Sequence, residues 1–393
     1  MQLIDLKAQQ AKIRDTIECR IRTVLDHGTY IMGPEVRELE ERLASHTGAK
    51  HCIGCSSGTE ALLMALMAWG VGPGDAVFAP ALTFFATAEV ASLLGATPVM
   101  VDIKPDTYTL DPEQFEQAVA AVLTRDPSLH PLPGQAVTTQ LTPKAVIPVN
   151  LYGQTADYDA LLSIARRHEM FSLEDAAQSF GAHYKGKRSC ALGCDIAATS
   201  FFPGKPLGCY GDGGAVFTDN DEYATLLRSI RIHGMGANKY DNVRIGLNAR
   251  LDTMQAAVLL CKLDIFDKEF DARQKIATRY EESLAPLGAR YGIRTPKISP
   301  AGQSAWAQYC VRIPGGKRDT VAGKLKEQGI PTNIYYPTPL HMLGAFSAMG
   351  YKPHDVPNAL EASQQVLALP FHPYLKEEDM ARIVTALEDA LND

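Results

Sequence analysis

Between residues 50 and about 220 the chain alternates short apolar runs with stretches of helical periodicity. The runs fall at 76–79, 98–101, 145–149, 171–173 and 197–202. Runs this short and apolar suit strands buried on both faces, and parallel strands need crossover helices between them. The pattern predicts an α/β fold whose large domain has a mostly parallel central sheet covered by helices. Gly72-Pro-Gly-Asp75 and Leu94-Gly-Ala-Thr97 supply helix-ending punctuation between the runs.

Outside that block the periodicity is helical. Ile13, Ile17, Ile21 and Leu25 recur every fourth residue, which predicts an amphipathic helix. A second helix is expected to start at Pro34, with Val36, Leu39 and Leu43 on one face. Beyond Arg250, the residues Met254, Ala257, Val258, Cys261 and Leu263 fit a long helix leading out of the large domain. After Pro296 the texture changes. Tyr309-Cys-Val-Arg-Ile313 and Asn333-Ile-Tyr-Tyr336 read as strands, and a last helix carries Met380, Ile383, Leu387 and Leu391. The expectation is a large domain over 1–265 and a small C-terminal α+β domain over 266–393. Segment 123–140, rich in proline and polar residues, reads as an inserted surface loop.

A chain of 393 residues buries a large core. Its net charge of −7 gives no electrostatic reason to expect nucleic acid or an anionic membrane as partner. No apolar run approaches spanning length and Met1-Gln-Leu-Ile-Asp-Leu has no signal-peptide organisation, so a cytoplasmic enzyme is expected. Cys52 and Cys55 form a C-x-x-C and Cys190 and Cys194 a C-x-x-x-C, which raises a zinc or redox site. The first pair falls within a strand and turn, so buried reduced thiols and no metal are the expectation.

The chemistry centres on Ser200-Phe-Phe-Pro-Gly-Lys205-Pro-Leu-Gly-Cys-Tyr-Gly-Asp-Gly-Gly214. A lysine held in apolar surroundings loses proton affinity, and its neutral amine attacks carbonyls to form a Schiff base. Phe171-Ser-Leu-Glu-Asp175 delivers a carboxylate at the end of an apolar run, where α/β sheets bind ligands. Cys52-Ile-Gly-Cys-Ser-Ser57-Gly58-Thr59 reads as strand, turn and helix start, a place for an anion. Activated lysine, aspartate and phosphate site together suit pyridoxal 5'-phosphate (PLP).

These residues, with Ile4-Asp-Leu, Gly33-Pro-Glu, Leu151-Tyr-Gly-Gln, Glu174-Asp-Ala-Ala-Gln178 and Leu247-Asn-Ala-Arg250, give the chain a resemblance to a known family. It resembles, nearly end to end, the DegT/DnrJ/EryC1/StrS sugar aminotransferases, PLP enzymes of fold type I. Within them it is similar to those that aminate UDP-2-acetamido-2-deoxy-3-keto-glucuronic acid. That narrower likeness lies in Ala177-Gln-Ser-Phe-Gly181, Lys185-Gly-Lys-Arg-Ser-Cys190 and Pro206-Leu-Gly-Cys-Tyr210.

The resemblance implies roles. Lys205 carries the cofactor and moves the proton, and Asp175 pairs with the pyridine nitrogen. Gln178 meets the phenolic oxygen, Phe84 stacks on the ring, and Gly58, Thr59 and Ser200 hold the phosphate. Asn248 reaches the phosphate from a neighbouring subunit, which implies a homodimer with shared sites. Arg250 is a candidate partner for a carboxylate, a structural salt bridge being the alternative. Tyr335 and Tyr336 match a substrate-contacting stretch, although Tyr335 stands where a histidine is common. L-glutamate as donor, 2-oxoglutarate as product and a UDP-linked ketosugar as acceptor are implied in the same way. A different UDP- or dTDP-ketosugar, such as a 4-keto-6-deoxyhexose, and a non-catalytic sugar-nucleotide binder stay open.

Overall fold

The computed structural model describes residues 1–392. Its centre is a seven-stranded sheet. The strands are β1 (His51–Cys55), β2 (Asp75–Pro80), β3 (Thr97–Val101), β4 (Thr142–Val146), β5 (Phe171–Asp175), β6 (Ile196–Ser200) and β7 (Gly214–Thr218). They lie in the order β1-β7-β6-β5-β4-β2-β3. Strand β7 is antiparallel to both neighbours, and the other pairings are parallel.

Both faces of the sheet are covered, which is why its strands read as unbroken apolar runs. On one face Ile53, Cys55 and Val216 pack against Leu62 and Leu66 of the helix Gly58–Ala68. On the other, Cys52, Ala215 and Phe217 pack against Leu39 and Leu43 of the helix Pro34–Thr47 and Leu259 of the long helix Thr253–Tyr291. Cys52 and Cys55 therefore sit on opposite faces and cannot converge on one metal ion. Burial pushes both thiols up, Cys55 to about 12, so both remain protonated and packed.

The N-terminal helix, Leu6–His27, opens with the Asp5 side chain accepting from the Ala8 N–H at 2.9 Å. Ile13 and Ile17 are buried as expected, but Leu25 is exposed and Val24 takes the inward place. A strict four-residue spacing drifts around a turn of 3.6 residues, so the fourth member has left the face.

The 253–291 helix runs from the sheet into a second core. There Tyr280, Tyr309, Val311, Leu325, Leu367, Ile383 and Leu387 pack around an antiparallel strand pair, β8 (Tyr309–Arg312) and β9 (Val366–Leu369). The position expected to separate two domains, 265/266, lies inside this continuous helix. Asn333-Ile-Tyr-Tyr336 forms no strand: Asn333 makes one bridge, to Ala368, and the chain then turns toward the sheet's carboxyl edge. The 123–140 segment departs from a plain surface loop. His130, Leu132 and Ala136 are buried, the His130 ring lies 3.0 Å from the Met100 carbonyl, and 134–138 is a short helix. Composition concealed this, because a few side chains anchor an otherwise polar stretch.

Candidate active site

The parallel strands end on one edge of the sheet, and that edge assembles the site. Strand β5 ends at Asp175, β6 ends at Ser200 with Lys205 following it, and the 58–68 helix begins opposite both. A cavity of about 420 Å³ opens between them. Gly58, Thr59, Phe84, Asp175, Gln178, Ser200, Lys205, Tyr335 and Tyr336 all line it.

The helix start is built for close approach. Ser57 caps it, its hydroxyl accepting from the Glu60 N–H at 3.1 Å. A Cβ on Gly58 would lie 2.7 Å from the Ser200 Cβ, so only glycine allows the helix end to meet β6. The first-turn N–H groups of Gly58 and Thr59 have no intrahelical acceptors, and both residues line the cavity, an arrangement suited to an anion.

Burial holds the Lys205 ammonium below its usual pKa, with the charge of Asp175 pulling the other way. Burial likewise pushes the Asp175 carboxyl up. The Ala177 N–H, the Thr87 hydroxyl and Lys205 oppose that shift. The distances are 3.1 Å from Ala177 N to Oδ1 and 2.9 Å from Thr87 Oγ1 to Oδ2. Gln178 accepts from the Tyr152 N–H at 2.7 Å and donates to the Tyr336 hydroxyl at 3.2 Å. Burial keeps that hydroxyl protonated.

Phe84 stands half exposed at the mouth, its ring 6.0 Å from that of Tyr336. Phe85 points away and packs on Phe346 at 5.3 Å. Asn248 is exposed and does not line its own chain's cavity. Arg250 borders a separate hollow of about 950 Å³ with Ile31, Met32 and His233. Thr83, Thr87, Tyr152 and Gln308 belong to the site or its wall and went unread in the sequence. Thr83 and Thr87 flank the Phe84-Phe85 pair, which was the available signal; Gln308 carried none.

One neighbour of the site predicts a pH effect on stability. Glu174 is wholly buried on the strand face opposite Asp175. One of its oxygens accepts from Asn150 (2.9 Å), Ser189 (2.6 Å) and the Cys190 N–H (3.0 Å). Burial raises its carboxyl to about 7 from 4.5. The folded state thus keeps a proton that the unfolded state releases. The resulting stability is full below about pH 4.5 and is lost as pH rises through about 7. Glu174→Gln removes this dependence. Urea unfolding at pH 5 and pH 8 should show the wild type losing on the order of 2–3 kcal/mol relative to the variant over that range. Parallel curves for the two proteins would contradict the assignment.

The residues present fit PLP. An uncovered helix N-terminus meets the phosphate's charge, a lysine amine of lowered proton affinity meets the aldehyde, and a buried carboxylate meets the pyridine nitrogen. Among the described residues no group of three or more His, Cys, Asp and Glu side chains is placed to hold a metal ion.

A lysine and an aspartate on the carboxyl edge of a mostly parallel sheet covered by helices are the arrangement of a PLP-dependent enzyme. The sequence profile of the DegT/DnrJ/EryC1/StrS aminotransferase family matches residues 11–388, and the chain belongs to that family. It is 50% identical over 387 residues to the UDP-2-acetamido-2-deoxy-3-oxo-D-glucuronate aminotransferase of Pseudomonas aeruginosa, covering 98% of this chain and 99% of that one. A DegT DnrJ EryC1 StrS aminotransferase from Brucella abortus superposes with a TM-score of 0.92 at 44% identity, with both chains fully covered. DesV of S. venezuelae, solved in complex with a ketimine intermediate, gives a TM-score of 0.90 at 38% identity, covering 100% of this chain and 98% of that one.

Proposed function

We propose that this enzyme transfers the amino group of L-glutamate to the 3-keto group of UDP-2-acetamido-2-deoxy-3-keto-glucuronic acid. The products are 2-oxoglutarate and a 3-amino sugar for surface polysaccharide such as O-antigen. The observation that carries the reading is the pairing of partly buried Lys205 with buried Asp175 in one cavity, in a chain half identical to the Pseudomonas enzyme along its length.

PLP supplies the electron sink that transamination needs. Lys205 would hold the cofactor at rest and would move the proton at the reacting carbon. Asp175 keeps the pyridine nitrogen protonated. Gly58, Thr59 and Ser200 bind the phosphate, Phe84 covers the ring, and Gln178 hydrogen-bonds the phenolic oxygen. Tyr335 and Tyr336 form the wall that faces the sugar.

A substrate with a carboxylate and a diphosphate needs cations, and Lys205 is the one basic side chain in the cavity lining among the described residues. Asn248 and Arg250 of a second copy would complete the site. The apolar Tyr240, Val243 and Ile245, all exposed beside them, suit a homodimer contact. We also divide the chain into a large domain, 1–265, and a small one, 266–393, joined through the 253–291 helix. No helix among the described residues is long and apolar enough to cross a membrane. A nucleotide-linked substrate suits a cytoplasmic enzyme.

The test is a two-stage titration. L-glutamate should bleach the absorbance of the lysine-bound cofactor, and UDP-linked 3-keto-hexuronate should restore it. A panel of other UDP- and dTDP-ketosugars should restore it at least about tenfold more slowly, the discrimination expected when a site's polar groups are left unpaired. Faster restoration by a dTDP-4-keto-6-deoxyhexose would replace the acceptor named here. A protein that no donor bleaches would be a binder.

A further inference from the structure

We propose that Thr87, backed by Thr83, is a positioning residue that keeps the Asp175 carboxylate ionised and aimed through a one-way chain of hydroxyl hydrogen bonds. An ionised carboxylate has no proton to give, so at 2.9 Å the Thr87 hydroxyl must donate to Asp175 Oδ2. Its single proton is then committed. The 3.1 Å contact between the two threonine hydroxyls is therefore donated by Thr83. The other carboxylate oxygen is held by the Ala177 N–H.

Thr83 lines the cavity and Thr87 has no exposed surface, so the chain runs from the cavity wall into the core and ends on the carboxylate. The start of the helix Ala86–Leu93 fixes it, the Thr87 N–H donating to the Phe84 carbonyl at 3.2 Å. The arrangement answers a physical problem. Asp175 is buried, and burial alone favours the neutral acid. The titratable groups that bear on it are Lys205, Tyr336 and Tyr158, of which only Lys205 supplies positive charge. Donated hydrogen bonds favour the charged form, and each polarises the next. A neutral Asp175 could not hold a protonated pyridine nitrogen.

The inference rests on use of PLP and not on which sugar is aminated. Its probe is pyridoxamine 5'-phosphate, which makes no covalent bond to lysine, so binding to the apoenzyme reads the non-covalent grip alone. Thr87→Val keeps the shape and removes the donor. It should raise the dissociation constant at least about tenfold, the scale of a lost hydrogen bond to a charged group. Thr87→Ser should stay within about threefold of wild type, since the hydroxyl is restored. In an Asp175→Asn background, Thr87→Val should change binding less than about twofold, because the group it acts through is gone. Thr83→Val should show a smaller loss, about threefold, equally absent in that background, and it decides the matter if Thr87→Val does not fold. Wild-type binding by the valine variants, or the same loss with and without Asp175, would overturn the proposal.

Discussion

Lys205→Ala lowers transamination by at least about 10³-fold, because one side chain serves as both covalent holder and proton carrier, and proton transfer alone is worth about 10²–10⁴-fold. The amine is suited to this by its setting. Two glycines and two prolines surround it in sequence, burial lowers its proton affinity, and the charge of Asp175 opposes that shift. Lysine at an ordinary surface position would be protonated and inert. The fold should survive the change, since the Lys205 side chain is only partly buried and borders a cavity. Thermal unfolding without cofactor should therefore match wild type, while borohydride reduction followed by peptide mass mapping finds the adduct in wild type and none at position 205 in the variant. A variant that turns over ketosugar normally, or a wild-type adduct on another lysine, would remove Lys205 from its role. Lys262 is the informative second candidate. It is also buried, with its pKa lowered to about 8, but it lies over the Tyr210 ring and outside the cavity lining.

Legibility in the sequence tracked the locality of the physical cause. The apolar runs at 76–79 and 98–101 became β2 and β3 because burial on both faces leaves a local signature. Lys205 and Asp175 stood out because ionisable groups in apolar surroundings are costly enough to demand a reason. The sheet order was not legible: β7 runs antiparallel between β1 and β6, and such insertion is decided by pairings distant in sequence. Thr87 reads from sequence as an unremarkable helical residue, and its value comes from a partner 88 residues away. Tyr335 and Tyr336 carry a strand-like composition, yet the cavity claims them. The Tyr152 hydroxyl donates to the Tyr335 carbonyl, and Gln178 donates to the Tyr336 hydroxyl. His130, Leu132 and Ala136 escaped for a similar reason, being scattered through a segment whose average is polar.

Gly214→Ala should disable the cofactor site although Gly214 itself does not line the cavity. Gly214 opens β7, paired with Cys55 on one side and Ser200 on the other, so it sits between the turn that starts the 58–68 helix and the end of β6. A Cβ there would lie 2.5 Å from the Ser57 carbonyl carbon and oxygen and 2.8 Å from the Gly58 nitrogen. Those atoms are backbone, and no side-chain rotation relieves the contact. The turn must move, and it carries the Gly58 and Thr59 N–H groups away from Ser200. Overpacking of this kind costs about 1–3 kcal/mol or more in stability. Loss of two N–H donors to a dianion should weaken binding of PLP by about 10²- to 10⁴-fold, at roughly 1.5–3 kcal/mol for each charged hydrogen bond. Gly323→Ala supplies the contrast. Gly323 lies in the helix Arg318–Glu327 with nothing within 4 Å of its Cβ position, so alanine there should be neutral or stabilising by up to about 1 kcal/mol. Urea unfolding and PLP titration of the two variants decide the point. If Gly214→Ala binds and unfolds like Gly323→Ala, the turn is not held by close packing, and the phosphate is not gripped at the start of the 58–68 helix.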